Sequence, residues 1–372
     1  MSRQAAAMPD GHKPLTWDRI RRGIARRVRN RTLDARDAIF LPIAGVSGRL
    51  ASLFYATVSA AFGREHRAVV HGIRRYKELT RVASQTNYQL RRNVHRLEKG
   101  LIMRPRRPVF AADYIGQTVT AYRRVAEAGA TDPALVDPDE LRWAHDVLAE
   151  YFAAVSPDGA IDRARSEFAS APDLEEIDAR FIPYRRALDA EPPVGVEALM
   201  SLAHRRRSVR WFLPLPVPHD LVDRALEVAA QSPSACNRQP FEFRIFDDPA
   251  LVRTIAAVPL GTKGFADNLP MIAVVVGRLH AFRTERDRHL IYIDGGLAVM
   301  SFILALEAED LSSCCINWAD LPAQERDITR ILNLRPDERV VMMIGIGYPD
   351  PDGLVPYSQK KPLELLRRYN AI

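Results

Sequence analysis

The chain has 372 residues, 47% hydrophobic and 27% charged, with 19 glycines and 26 prolines. That is enough for two or three domains and excludes a collagenous, low-complexity or wholly disordered protein. Its net charge of +7 hides a split: residues 1–110 carry 24 Lys+Arg against 7 Asp+Glu, a net of +17, which leaves −10 for the rest. A basic region suited to phosphate, anionic lipid or nucleic acid therefore precedes an acidic remainder.

The opening stretch MSRQAAAMPDGHKP lacks the apolar core of a secretory signal. Trp17, Ile20, Ile24 and Val28 then follow helical spacing, with Arg19, Arg21, Arg22, Arg26, Arg27 and Arg29 between them. This is a basic amphipathic helix, suited either to an anionic membrane or to packing on its own domain. Ile39 to Gly63 is the most apolar stretch, but Pro42, Gly45, Gly48 and Arg49 interrupt it. A buried or interfacial helix is predicted there, since a span needs about 20 apolar residues. From Arg64 to Met103 the pattern stays helical and basic, ending in LRRNVHRLEKGLIM. His95 and Glu98 share a face but are too few to bind a metal, so a helix terminus stopped at Gly100 is predicted. Residues 111–185 continue as helices, jointed at Pro133, Pro138 and Pro157.

The composition changes across Asp189–Gly195, and two domains are predicted, 1–190 and 191–372. Beyond the change, apolar runs at Glu242–Phe246, Met271–Val276, Ser312–Ile316 and Val340–Ile346 read as buried strands. Helical patterns, notably Leu221–Ala230 and Gly295–Glu309, lie between them. An α+β domain with helices covering a sheet is predicted.

Three segments carry chemistry. Arg205 to Phe212 (RRRSVRWF) crowds arginine forks and a hydroxyl, a set suited to phosphate. Pro233 to Pro240 (PSACNRQP) is a stiff loop with amide and hydroxyl groups suited to the edge of a planar heterocycle. Gly347-Tyr348-Pro349 precedes Ser358-Gln359-Lys360-Lys361-Pro362, whose lysines again suit phosphate. Each segment alone also fits a solvated run or a capped connection.

In this order and at this separation the three resemble the nitroreductase family of FMN-dependent oxidoreductases, over roughly residues 198–372. The resemblance implies a nitroreductase-like fold, an FMN-binding mixed sheet flanked by helices, preceded here by a mostly helical N-terminal domain. It implies phosphate and ribityl contacts at Arg206, Arg207, Ser208 and Arg210, and a ring-side loop at Pro233, Ser234, Asn237 and Gln239. It further implies a ring-proximal segment at Cys315, Ile316, Asn317 and Trp318, and late phosphate ligands at Lys360 and Lys361. Phe241 stands where many relatives have tryptophan, and the Cys-Cys-Ile-Asn-Trp segment departs from better-known members. The implied activity is hydride transfer from NAD(P)H, a transient donor, through FMN to a small-molecule acceptor. The alternative is a flavin scaffold or biosynthetic flavoenzyme without NAD(P)H turnover, tethered by the basic region.

No GxGxxG follows a strand, so no resident dinucleotide is predicted. The flavin carries the chemistry, so no protein acid or base is nominated, and His204, His280 and His289 read as surface or capping residues. Three cysteines cannot form a disulfide framework, and no Cys/His group has zinc spacing, which predicts a reducing compartment and no metal. Adjacent Cys314 and Cys315 read as filler on a strand, with a redox pair as the competing reading. A homodimer is predicted, built by the second half and its long helix with Gly295, Gly296, Met300, Ile303 and Leu304. The expected location is the cytoplasm, peripheral to the inner face of the membrane through the basic region. Nucleic acid is the runner-up partner, without any reading motif to support it.

Overall fold

The computed structural model describes residues 17–83, 85–174, 180–186 and 192–371. The predicted domain boundary at 190/191 and the opening residues 1–16 lie outside the described residues. The chain parts into two compact units between His66 and Arg67.

The first unit holds helix α1 (Trp17–Ala44), which carries Pro42 in its last turn, and helix α2 (Gly48–Thr57). Ser47 caps α2, its hydroxyl accepting from the Leu50 amide. Phe54 is buried under Phe40 and the Arg36 guanidinium. Most other large apolar side chains of this unit, Ile39, Leu41, Ile43, Val46 and Leu53 among them, are exposed. The stretch is therefore not one buried helix but the end of α1 and the whole of α2, with most of its apolar groups on the surface, which leaves the interfacial reading.

Helix α3 (Gly63–Leu79) leads into the second unit, followed by α4 (Tyr88–Leu101), α5 (Ile115–Thr131), α6 (Pro138–Ala154) and α7 (Gly159–Ala169). Asn87, Asp137 and Asp158 cap α4, α6 and α7, and Pro138 opens α6 where its missing N–H costs nothing. Leu90, Leu97, Val119, Tyr122, Leu148, Tyr151 and Ile161 close a helical core. Gly100 does not stop α4, which runs on to Leu101; a Cβ there would sit 2.2 Å from the Phe110 ring. The glycine makes room for that ring instead.

The remaining elements are α8 (Val196–Arg205), α9 (His219–Ala230), β1 (Phe241–Phe246), α10 (Pro249–Ala256), β2 (Met271–Arg278), α11 (Leu290–Ala308), β3 (Ser312–Asn317), α12 (Pro322–Leu332), β4 (Glu338–Gly347) and α13 (Leu363–Leu366). The strands form one sheet in the order β1-β2-β4-β3 with every pairing antiparallel. The parallel element that a mixed sheet requires is confined to one bridge, Ser208 to Ser313, on the outer edge of β3.

Strand β2 reads as an unbroken apolar run because both its faces are covered. Ile272, Val274 and Val276 face α10 and α12 (Val252, Ile255, Ile328), while Met271, Ala273 and Val275 face α9 and α11 (Ala225, Val299, Phe302, Leu306). Each of these side chains larger than alanine contributes about 1.5–3 kcal/mol when fully buried. Helix α11 is long and apolar enough to cross a membrane, yet it packs on this sheet as a core helix.

Candidate functional site

Helix α8 ends at Arg205, whose guanidinium is committed to Asp310 at 2.5 Å and to buried Glu307 at 3.2 Å. That pair of bridges ties the arginine run to the end of α11. The backbone then turns extended and runs along the free edge of β3, where Val209 N donates to Ser313 O at 3.1 Å. Arg206 Nε is buried with no hydrogen-bond partner. Arg207 donates to the Pro356 and Tyr357 carbonyls, and Arg210 to Ser208 O at 3.3 Å while lying over the Phe265 ring. Among the described residues no acidic side chain forms a salt bridge with Arg206, Arg207 or Arg210.

Phe212 fixes the far end of this segment. Asn268 takes both its backbone groups, accepting from Phe212 N at 2.6 Å and donating to Phe212 O at 3.3 Å. Phe212 also bridges Pro349, and Leu213 N donates to Tyr348 O at 2.9 Å. Gly347 is needed there, since a Cβ would meet Pro270 at 2.6 Å and Phe212 at 2.9 Å. The first and third predicted segments are thus zipped together. The tail beyond them, with Lys360 and Lys361, is exposed and reaches the arginines through the Arg207 bonds.

On β3, period-two alternation divides the ring-proximal residues. Cys314 and Ile316 are buried in the sheet core, whereas Cys315 and Asn317 are exposed on the other face. Both thiols are free, and burial pushes the Cys314 thiol above its ordinary value. Ile316 therefore offers this face only its backbone. Trp318 turns away to donate to Glu325 at 2.6 Å, and Glu325 in turn meets Arg339 at 3.1 Å.

Cys236, Asn237 and Gln239, in the Pro233–Pro240 loop, hold left-handed backbone angles, with φ of 54°, 49° and 46°. For non-glycine residues these are strained and need outside support. Ser234 Oγ accepts from Gln239 N at 3.0 Å, and Gln239 Nε2 donates to Ala230 O at 3.0 Å. Pro233 and Asn237 are exposed. Asp294 on α11 accepts from Ala235 N at 3.0 Å; burial holds its carboxyl above the ordinary range. Arg238 is buried beneath the loop, donating to Ala235 O and Ala281 O and stacking on Phe282. Asp294, Asn268 and Arg238 were not legible as site residues, because each works through a partner that no motif marks.

The loop precedes β1, at the opposite edge of the sheet from the arginine segment, and at the opposite end of the strands. Strand spacing and rise separate Ser208 from the loop by roughly 25 Å. One chain thus joins Arg206, Arg207, Ser208, Arg210 and the tail into one cluster and sets Pro233, Ser234, Asn237 and Gln239 in another.

Of the three histidines, His204 is exposed in the last turn of α8 and His289 precedes α11. His280 is not a surface residue: it is buried and hydrogen-bonded to buried Asp337. Among the described residues no cluster suits a metal ion.

The nitroreductase family model matches residues 203–261 and 257–348, a stretch that spans β1 to β4 and both arginine and loop segments. Among curated proteins, iodotyrosine deiodinase 1 of Pongo abelii is 22% identical over 191 residues, 44% of this chain and 65% of that protein. Iodotyrosine deiodinase of Haliscomenobacter hydrossis is 23% identical over 211 residues, 49% of this chain and 93% of that protein. The chain thus spans slightly less than two thirds of the first of these relatives. An FMN-dependent nitroreductase of Clostridium difficile is similar in structure at 21% identity, covering 46% of this chain and 99% of its own, with a TM-score of 0.40. Residues 203–348 of this chain match the nitroreductase family model, and helices α1 to α7 lie before that match.

Proposed function

We propose that the protein is an FMN-dependent oxidoreductase that takes hydride from NAD(P)H and delivers it to a small-molecule acceptor. The observation that carries the reading is Arg206, whose buried Nε has no acceptor, beside two further arginines without acidic partners among the described residues. A flavin phosphate of about −1.5 to −2 charge supplies what this edge lacks. Each charge-assisted bond to it contributes about 1.5–3 kcal/mol. Arg206, Arg207, Ser208 and Arg210 would hold the phosphate, and the 233–240 loop would carry the ring edge. When bound, FMN supplies the two-electron hydride chemistry. Asn317, exposed beside Cys315, would border the acceptor and orient it.

The separation of roughly 25 Å between the two clusters exceeds the reach of one flavin ring with its ribityl phosphate. A homodimer in which one copy's loop completes the other's arginine cluster accounts for both. The exposed faces of α8 and α11, with Leu199, Met200, Ile293, Leu297 and Met300, supply apolar surface for such a pairing. The name of the curated relatives favours a second acceptor class, a halogenated phenol that loses its halogen reductively, served by the same reduced flavin.

Purified protein should be yellow with about one FMN per chain, and should oxidise NAD(P)H in the presence of a nitroaromatic or an iodotyrosine. Protein without flavin, and unable to take it up, overturns the reading. Flavin without NAD(P)H turnover leaves the scaffold or biosynthetic alternative.

For the first unit we propose attachment to an anionic bilayer. Trp17, Ile24, Val28, Ile39 and Ile43 form one exposed stripe along α1, Trp17 at 80% and Ile39 at 62%. Residues 17–66 hold ten arginines against four acidic residues, and only Arg49 is charged between Ile39 and Gly63. An apolar stripe flanked by arginine fits the headgroup–acyl boundary. The full chain should sediment with phosphatidylserine vesicles, not with phosphatidylcholine alone, and Ile24→Glu with Ile39→Glu should abolish it. Failure to bind anionic vesicles at low salt refutes the attachment.

A further inference from the structure

Helix α4 lies outside the family-matched segment, yet it packs directly on the Ala235–Asn237 turn of the loop. One side chain makes the connection. Arg91 Nε donates to Asn237 O at 2.9 Å, and a terminal nitrogen to Gln239 Oε1 at 3.3 Å. Its other terminal nitrogen meets Glu140 Oε2 on α6 at 2.8 Å, and the guanidinium lies over Trp143, 5.4 Å from the ring centre. Arg91 is 13% exposed and Glu140 4%. Glu140 Oε1 also accepts from Asn87 N at 2.8 Å, at the cap of α4, so one carboxylate fixes both the helix start and the arginine.

We propose that Arg91 is a positioning residue for the flavin-side loop, through which the helical extension becomes part of the oxidoreductase site. The proposal rests on reading that loop as the flavin's ring-side wall. The two residues that Arg91 grips, Asn237 and Gln239, are two of the loop's three left-handed non-glycine residues. Such conformations persist only where the surroundings over-determine them. The other supports come from inside the domain: Ser234 and Asp294 hold amides, and Ala230 takes the Gln239 amide. Arg238 holds the Ala235 carbonyl from beneath, and Arg91 holds the Asn237 carbonyl from the helical extension, with the exposed Asn237 side chain left facing outward. A fork with donors in three directions is required, because three acceptors on two elements, two on the loop and one on α6, are met at once. A lysine in its place keeps the charge opposite Glu140 but cannot also reach Asn237 and Gln239.

The test uses the full chain and two variants, Arg91→Lys and the double variant Arg91→Gln with Glu140→Gln, which strands no buried charge. Three quantities are read: thermal unfolding of flavin-free protein, hydrogen exchange of the peptide covering residues 233–240, and FMN affinity with the visible spectrum of the bound ring. The expected result is near-unchanged unfolding, faster loop exchange in both variants, a Kd for FMN raised about tenfold, and a shifted ring spectrum. Exchange, affinity and spectrum all unchanged in both variants overturn the proposal. Unfolding lowered together with uniform loss of protection across α4 and α6 overturns it too, by making Arg91 a packing residue. If wild-type protein takes no FMN, the flavin reading fails by itself, and loop exchange still decides whether Arg91 positions the loop.

Discussion

Replacing Arg206 by methionine separates a cofactor anchor from a structural arginine, because the two roles predict opposite signs. Arg206 Nε is buried and unpartnered, and an unsatisfied buried polar group costs about 1–3 kcal/mol. Methionine keeps much of the stem's volume and removes that cost, so flavin-free Arg206→Met should unfold at the same temperature as wild type or higher. Binding should move the other way. Loss of one charge-assisted bond worth about 1.5 kcal/mol raises the Kd for FMN about tenfold. At 100 times the wild-type Kd, FMN adds about 2.7 kcal/mol to wild-type stability. At that concentration the variant keeps only about 1.4 kcal/mol. The flavin-induced rise in Tm should therefore shrink by about 3–5 °C. Differential scanning fluorimetry with and without FMN reads both numbers. A lower flavin-free Tm together with an unaltered flavin-induced rise would refute the anchor.

The strands were legible because their physics is local. Met271–Val276 is apolar throughout since α10 and α12 cover one face and α9 and α11 the other, and composition alone reveals such a strand. The same uniformity hid the start of α11: Leu290–Ile293 is as apolar as the rest of the helix, and no periodic stripe marks where it begins. The residues of the candidate site were legible as segments, but their grouping was not. Phe212 meets Pro349 across 137 residues of chain, while the loop and the arginines, nearer in sequence, are set at opposite corners of the sheet. Arg91 went unread for the same reason, since its partners lie 146 and 148 residues away. Gly100 looked like a helix stop because glycine has two uses, and only the Phe110 ring distinguishes them.

The geometry sets three further outcomes. Gly100→Ala gains about 1 kcal/mol of helix propensity, but its Cβ falls 2.2 Å from a Phe110 ring that packs edge to face with Tyr151. Overpacking of about 1–3 kcal/mol wins, and Tm should fall; a rise refutes the close approach. Tyr122→Phe should raise Tm, because the Tyr122 hydroxyl is fully buried and unpartnered, and an unchanged or lower Tm would mean that the hydroxyl is satisfied. The last outcome concerns His280. Burial holds its imidazole below the ordinary value despite the Asp337 bond, with Arg335 and Arg75 adding repulsion. As pH falls through about 6.5, an ordinary unfolded imidazole gains a proton that folded His280 still refuses. The unfolded state then binds more protons, so stability declines on acidification through this window until the lower folded pKa is reached. Asp337 acts elsewhere: burial raises its carboxyl, but the His280 bond leaves it below the ordinary carboxylate value, so its contribution is lost only at more acid pH. His219, raised by its bond to Asp247, has the opposite sign, with stability lost as pH rises. A comparison with His280→Gln isolates the buried residue, since His219 is common to both proteins. Urea midpoints of wild type should drop more between pH 7 and pH 5.5 than those of the variant, and parallel slopes would mean that His280 takes its proton in the folded state as readily as in the unfolded chain.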